Sequence, residues 1–295
     1  MDLLSVALLT LAFHIGNFLS YLFNAQGDLI PIGIVAGGIV LLLLSTISFP
    51  SYFFGVLLTK FGIQQLRDTT KSRAKHSSEV FRIVPRMLGF ALSFLFDPRI
   101  LGSFVIAYIL VHAMAWRGQL KSFGLVTRQF PMESGTPYFL MFTHSAHYFS
   151  YAYYIVILLY LKYSLGVQLI GAAYIVGWIG YYVVDKLLPS NKLYLSIGHF
   201  VGAVAILSLA TIPKIEWFLL FWLLTGFGGG TIFMLPQLRA NNPYSTKSMD
   251  IWDNGGNLVG IVLLLMALVF NAPALAFACA VTFSMASSVY SLKLR

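Results

Sequence analysis

His144 and His147 stand three residues apart in a run of apolar and aromatic side chains, a spacing that puts both imidazoles on one face of a helix. Tyr151 and Tyr154 extend that face and Tyr148 lies beside it. Imidazole can donate, accept and carry a proton near neutral pH. Ionisable groups inside a bilayer are costly, and they mark solute or ion pathways. Two readings follow. The stripe lines a solute cavity, or its imidazoles are buried and hydrogen-bonded to a neighbouring helix with the tyrosines at the membrane interface. His14 with Asn17 forms a second polar pair at helical spacing, and Asp253, Asn254 and Asn257 form a third group. His112 and His199 also fall in or beside apolar runs, whereas His76 lies in a basic stretch and reads as solvated. Imidazoles on several helices could also serve as axial ligands of a haem. His144-x-x-His147 supplies two metal ligands at most, without nearby carboxylates or Cys, so no metal and no cofactor is expected. No Lys, Arg or Glu stands clearly in the middle of an apolar run, which suits a neutral, weakly charged or aromatic solute better than a strongly charged one. P-loop, G-x-S-x-G and H-E-x-x-H patterns and paired magnesium-binding aspartates are missing, and the chain does not read as an enzyme.

The elements that hold these residues must be membrane helices. Of the 295 residues 58% are hydrophobic and only 10% charged, against about 25% charged in a soluble domain. Mean hydropathy is +0.81. So few charges cannot cover a water-facing surface, and the lipid bilayer becomes the solvent. A helix needs about 20 apolar residues to cross the hydrocarbon, and open sheet edges are excluded there. Runs at 3–23, 100–116, 137–161, 165–188, 193–212, 217–236, 255–270 and 273–292 meet that need, and 84–96 is a shorter candidate. The first run lacks a basic flank and an A-x-A-like cleavage site, so it reads as a retained span. Cys279 is the single cysteine, which excludes an internal disulfide, and it reads as a packing residue.

The formal net charge of +9 could suggest nucleic acid, but the cations fall in short segments between apolar runs, so no nucleic-acid partner is expected. Residues 31–62 are longer than one span needs, and either hinge at Pro50 as two short crossings or form one long tilted helix. Taking 31–62 as one helix and 84–96 as a span gives ten crossings. One set of loops then holds 16 of the 19 Lys and Arg residues, and the other only Arg99, Lys162 and Lys214. That asymmetry favours ten spans in a cell membrane, with both termini cytoplasmic.

Within residues 137–295 a recurring grammar appears. Tyr181-Tyr182-Val183-Val184-Asp185-Lys186 closes one helix with an acidic–basic pair, Gly226-Phe227-Gly228-Gly229-Gly230 enriches a later one in glycine, and Asp253-Asn254-Gly255-Gly256-Asn257-Leu258-Val259-Gly260 opens the next. Near the N-terminus stands Gly55-Val56-Leu57-Leu58-Thr59-Lys60-Phe61-Gly62. Together these resemble motifs of the major facilitator superfamily (MFS) of transporters. Gly55, Leu57, Lys60 and Gly62 match its G-x-L-x-D-R/K-x-G pattern, with Thr59 in place of the acidic residue. The resemblance implies an all-α integral membrane fold with a reduced N-terminal bundle of four helices (1–116, including a cytoplasmic connector at 64–83), a linker at 117–136 and a six-helix C-terminal bundle at 137–295. It implies a secondary transporter or facilitator working by alternating access, with proton coupling open. Candidate cavity residues are His14, Asn17, His144, His147, Tyr151, Tyr154 and Asn257. Gating and motif residues are Gly55, Lys60, Gly62, Asp185, Lys186, Gly226, Gly230 and Asp253. Plain helix packing is the other reading of those glycines. A four-helix half leaves room for a second copy or a partner subunit. The alternatives are a haem-binding redox protein and a non-transporting accessory subunit on a degenerate transporter fold.

Overall fold

The computed structural model describes residues 3–26, 29–43, 49–71, 124–127, 132–212, 214–239 and 245–294. They divide into two units, Leu8–Phe130 and Met1–Ala7 with Pro131–Arg295. Residues 84–96 and 100–116, expected to close the N-terminal half as spans, lie outside the described set, as do His76 and His112.

The N-terminal helices are α1 (Leu3–Leu22), α2 (Leu29–Leu43) and α3 (Phe49–Lys71). The expectation of one helix over 31–62 therefore fails: that stretch contributes to two helices. Pro50 sits in the first turn of α3, where its missing N–H has no intrahelical partner to lose. The pair is antiparallel and packed through glycines. A Cβ on Gly55 would lie 2.9 Å from the Leu42 backbone nitrogen, one on Gly38 2.7 Å from that of Thr59, and one on Gly62 2.9 Å from the Pro31 carbonyl. Lys60 thus belongs to a helix–helix layer rather than a loop, and α3 ends on the face where α2 begins. The division of basic residues that rested on a single crossing does not hold for these helices. One short ladder joins β1 (Phe23–Gln26) to β2 (Gly124–Thr127), antiparallel, with Phe23 opposite Thr127 and Gln26 opposite Gly124. The Gln65 amide donates to the carbonyls of Ser20 at 2.9 Å and Phe23 at 2.8 Å, tying α3 to the end of α1.

The second unit carries six helices: α4 (Thr136–Ile157), α5 (Val167–Leu187), α6 (Lys192–Leu209), α7 (Ile215–Gly230), α8 (Thr246–Val269) and α9 (Pro273–Leu292). A π-helical turn, Leu158–Lys162, prolongs α4, and a 3-10 turn, Thr231–Met234, follows α7. Local signals mark the ends. Pro137 and Pro273 stand in first turns, and the side chain of Asn191 accepts from the Leu193 amide at 2.8 Å as an N-cap. Among the described residues, four segments are each long and apolar enough to cross a membrane: Lys192–Leu209, Ile215–Met234, Lys247–Val269 and Pro273–Leu292.

Contacts fix the helix directions. Gly256 packs on Phe142 and Gly260 on Ala146, so α4 and α8 are parallel. Gly226 meets Gly177 and Gly230 meets Tyr181, so α5 and α7 are parallel. Ser196 pairs with Ser288 and the His199 carbonyl with Ser284, so α6 and α9 are antiparallel. The six helices therefore alternate up and down. Lys186, Lys192, Arg239, Lys247 and Lys293 mark the face where α4 starts, and Lys162 and Lys214 mark the other. The core toward the second face is aromatic and aliphatic, built on Tyr151, Tyr174, Phe218, Trp222 and Phe277. Toward the first face a smaller cluster gathers Leu140, Val184, Leu195, Ile232 and Leu235.

Candidate functional site

Between those two apolar clusters lies a layer of imidazoles and hydroxyls. The α4 stripe brings His144 and His147 to it, and α6 adds His199, seven residues past Lys192 and so ~10 Å along the helix. All three are buried. Ring centroids are 5.0 Å apart for His144–His147, 5.3 Å for His144–His199 and 6.1 Å for His147–His199. His199 Nδ1 lies 2.8 Å from the Leu195 carbonyl, which can only accept, so the proton of the neutral ring is on Nδ1 and Nε2 carries the lone pair. His144 Nδ1, 3.1 Å from that Nε2, must then be the donor. One backbone carbonyl thus sets the tautomers of two rings. Among the described residues, His147 Nδ1 is buried without a hydrogen-bond partner. The Thr231 hydroxyl stands 3.4 Å from His199 Nδ1 and donates to the Gly228 carbonyl at 2.7 Å.

Hydroxyls of α9 complete the layer. Ser284 donates to the His199 carbonyl at 2.7 Å, Ser287 pairs with Thr143 at 2.8 Å, and Ser288 pairs with Ser196 at 3.0 Å. With no water in a bilayer core, such pairs satisfy groups that would otherwise be orphaned. Sequence reasoning named neither this serine face nor the partnership of His199. The serines at 284, 287, 288 and 291 recur every three to four residues, which is a helical face visible in the sequence. The pairing across α4 and α6 has no local signal.

The stripe itself divides. Tyr151 and Tyr154 are in the aromatic layer rather than with the imidazoles: Tyr151 meets Trp222 at 6.1 Å and Phe277 at 6.2 Å, and Tyr154 meets Phe277 at 5.9 Å. Asp253 and Asn257 lie on α8, where Asp253 accepts a hydrogen bond from Ser145 of α4 and Asn257 is buried. His14 and Asn17 are on α1, with His14 buried and edge-on to Phe13 at 5.2 Å. The Lys60 ammonium lies 4.3 Å from the Phe13 ring centre, a cation–π contact. Gly55 and Gly62 hold α3 against α2. Gly226 and Gly230 hold α7 against α5, each so close that a Cβ would strike a backbone carbonyl. The Asp185 side chain lies outside the described atoms, and Lys186 is exposed at the end of α5.

No protein-family model matches this chain. No curated protein matches it in sequence. Among solved structures it is similar to the human organic anion transporter MFSD10 (TETRAN), with a TM-score of 0.62 over 99% of this chain and 83% of that one, at 14% identity. The chain shares the all-helical fold of that protein. Identity this low shows the fold and assigns no solute.

Proposed function

We propose that this chain is a secondary transporter or facilitator that moves a small neutral, weakly charged or aromatic solute by alternating access. The observation that carries this reading is the likeness to a transporter along nearly the whole chain. A fold alone does not fix a function, and the imidazole–hydroxyl layer supports the reading from the residues, since buried polar groups inside membrane helices mark solute and ion paths. His144, His147, His14, Asn17 and Asn257 are the residues assigned to the solute path, and Asp253, bound to Ser145, is assigned to its conformational control. The face of the six-helix bundle marked by five basic residues against two is placed in the cytoplasm, which puts the C-terminus there. The full chain, reconstituted in proteoliposomes, is expected to move at least one member of a panel of aromatic and small polar solutes, with saturation. Absence of saturable flux for every member, together with stable co-purification of a larger subunit, would replace this reading with that of an accessory protein.

A further inference from the structure

Residues 1–59 hold no Lys or Arg, so the asymmetry of loop cations is silent about the side from which α1 enters the membrane. Contacts in each of the two compact units decide it instead.

The unit of the six-helix bundle includes Met1–Ala7. There Ala7 is buried in one apolar cluster with Leu264 and Ala267 of α8 and Ala276 of α9. Leu264 and Ala267 stand in the last turns of α8 and Ala276 in the first turn of α9. Tyr154, near the end of α4, packs against the same cluster. Ala7 is therefore at the depth of the α8–α9 turn. That is the face marked by Lys162 and Lys214, opposite the one where α4, α6 and α8 begin and α9 ends.

In the other unit, Gly16 of α1 packs on Leu57 and Phe61 of α3. Further along, the Gln65 amide of α3 donates to the carbonyls of Ser20 and Phe23. Later positions of α1 meet later positions of α3, so these two helices are parallel and end on one face, with α2 antiparallel to them. Arg67 and Lys71 fall in the last turns of α3, and Arg73, Lys75 and Arg82 follow in the sequence. Cations beside the end of a membrane helix hold that end in the cytoplasm. With α3 ending there, α1 starts on the opposite side.

We infer that α1 enters the membrane from the exoplasmic face, so that the residues ahead of α1 and those after α9 lie on opposite sides and the number of crossings from α1 to α9 is odd. At 20 residues α1 is ~30 Å long, enough to span. No cation in residues 1–59 opposes this entry. Counting 31–62 as one helix removes a crossing and reverses the entry side, which is how the loop charges came to suit two cytoplasmic termini. The parity also couples the two apolar runs between α3 and α4. Because α3 ends and α4 starts in the cytoplasm, 84–96 and 100–116 either both cross or both do not. With both, the helices cross eleven times rather than ten. The entry side is independent of whether the chain transports.

The test uses the full chain in intact cells. In a Cys279→Ser background, the single variants Asp2→Cys, Lys214→Cys and Lys293→Cys are treated with a membrane-impermeant sulfonated maleimide before and after permeabilisation. Asp2→Cys is expected to follow Lys214→Cys and label equally before and after, whereas Lys293→Cys labels only once the membrane is opened. If position 2 does not react under either condition, an epitope placed ahead of Met1 and read with antibody on unpermeabilised cells is expected to be accessible. Asp2→Cys following Lys293→Cys rather than Lys214→Cys overturns the inference, as does an epitope hidden until permeabilisation. Partial labelling of both ends, the mark of a mixed orientation, overturns it as well. Each of these outcomes leaves the transporter reading as it stands.

Discussion

His144 and Tyr151 are two turns apart on the same helix, ~10 Å along its axis, yet they stand in different surroundings. Around Tyr151 the bundle is held by aromatic edges: Trp222 meets Tyr174 at 5.4 Å, and Phe218 is fully buried against Tyr163 at 5.2 Å. Around His144 it is held by hydrogen bonds between small or polar side chains on α4, α6 and α9. The aromatic layer gains from dispersion and shape, which depend on every atom being present. The polar layer gains little from each pair, because the separated groups in a membrane find other partners. The first layer is therefore the costlier to disturb and the second the cheaper.

That contrast can be broken in order of expected size. Phe218→Ala should cost about 3–5 kcal/mol by leaving a cavity in the aromatic layer, seen as a large fall in the thermal midpoint of the detergent-solubilised chain; a small fall would mean that the layer collapses to fill the gap. Gly228→Ala comes next. Its Cβ would sit 2.9 Å from the Gly202 Cα and nitrogen, and overpacking of this kind costs about 1–3 kcal/mol. The check is loss of the folded, monodisperse species at a lower temperature than the parent. Thr143→Val should be the mildest, about 0.6 kcal/mol for one interhelical hydrogen bond in a membrane, measured by the same unfolding curve. If the order of Phe218 and Thr143 reversed, the polar layer would be the true core.

Several features were legible beforehand. Of the six C-terminal helices, α5, α6, α7 and α9 follow long apolar runs bounded by Pro, Asn or Gly, whereas α8 begins at Thr246, nine residues before the run at 255–270, and carries Asp253, Asn254 and Asn257 in its interior rather than at its start. The sixth, α4, shows through despite its His, Ser and Tyr residues because its apolar positions persist to Ile157. The 31–62 stretch makes two helices because Pro50 opens α3 in its first turn, a direct backbone constraint, whereas the asymmetry of loop cations is only a statistical one. The β1–β2 pairing escaped notice because each strand is four residues of mixed character. The face shared by His144 and His147 was correctly derived from spacing, but its continuation to Tyr154 was not one environment. Side-chain period says which residues face the same way. It does not say that the material opposite changes from serine to tryptophan along the helix.

Gly226 and Gly230 press α7 against α5, while Gly228, between them in sequence, presses the other side of α7 against α6. A rod gripped at backbone distance from two sides can neither roll nor slide without dragging both grips. The three helices are therefore held together as a single slab. Within it, the α-helical bonding pattern of α7 gives way at the 3-10 turn Thr231–Met234, and the first residue of that turn is the threonine that touches His199.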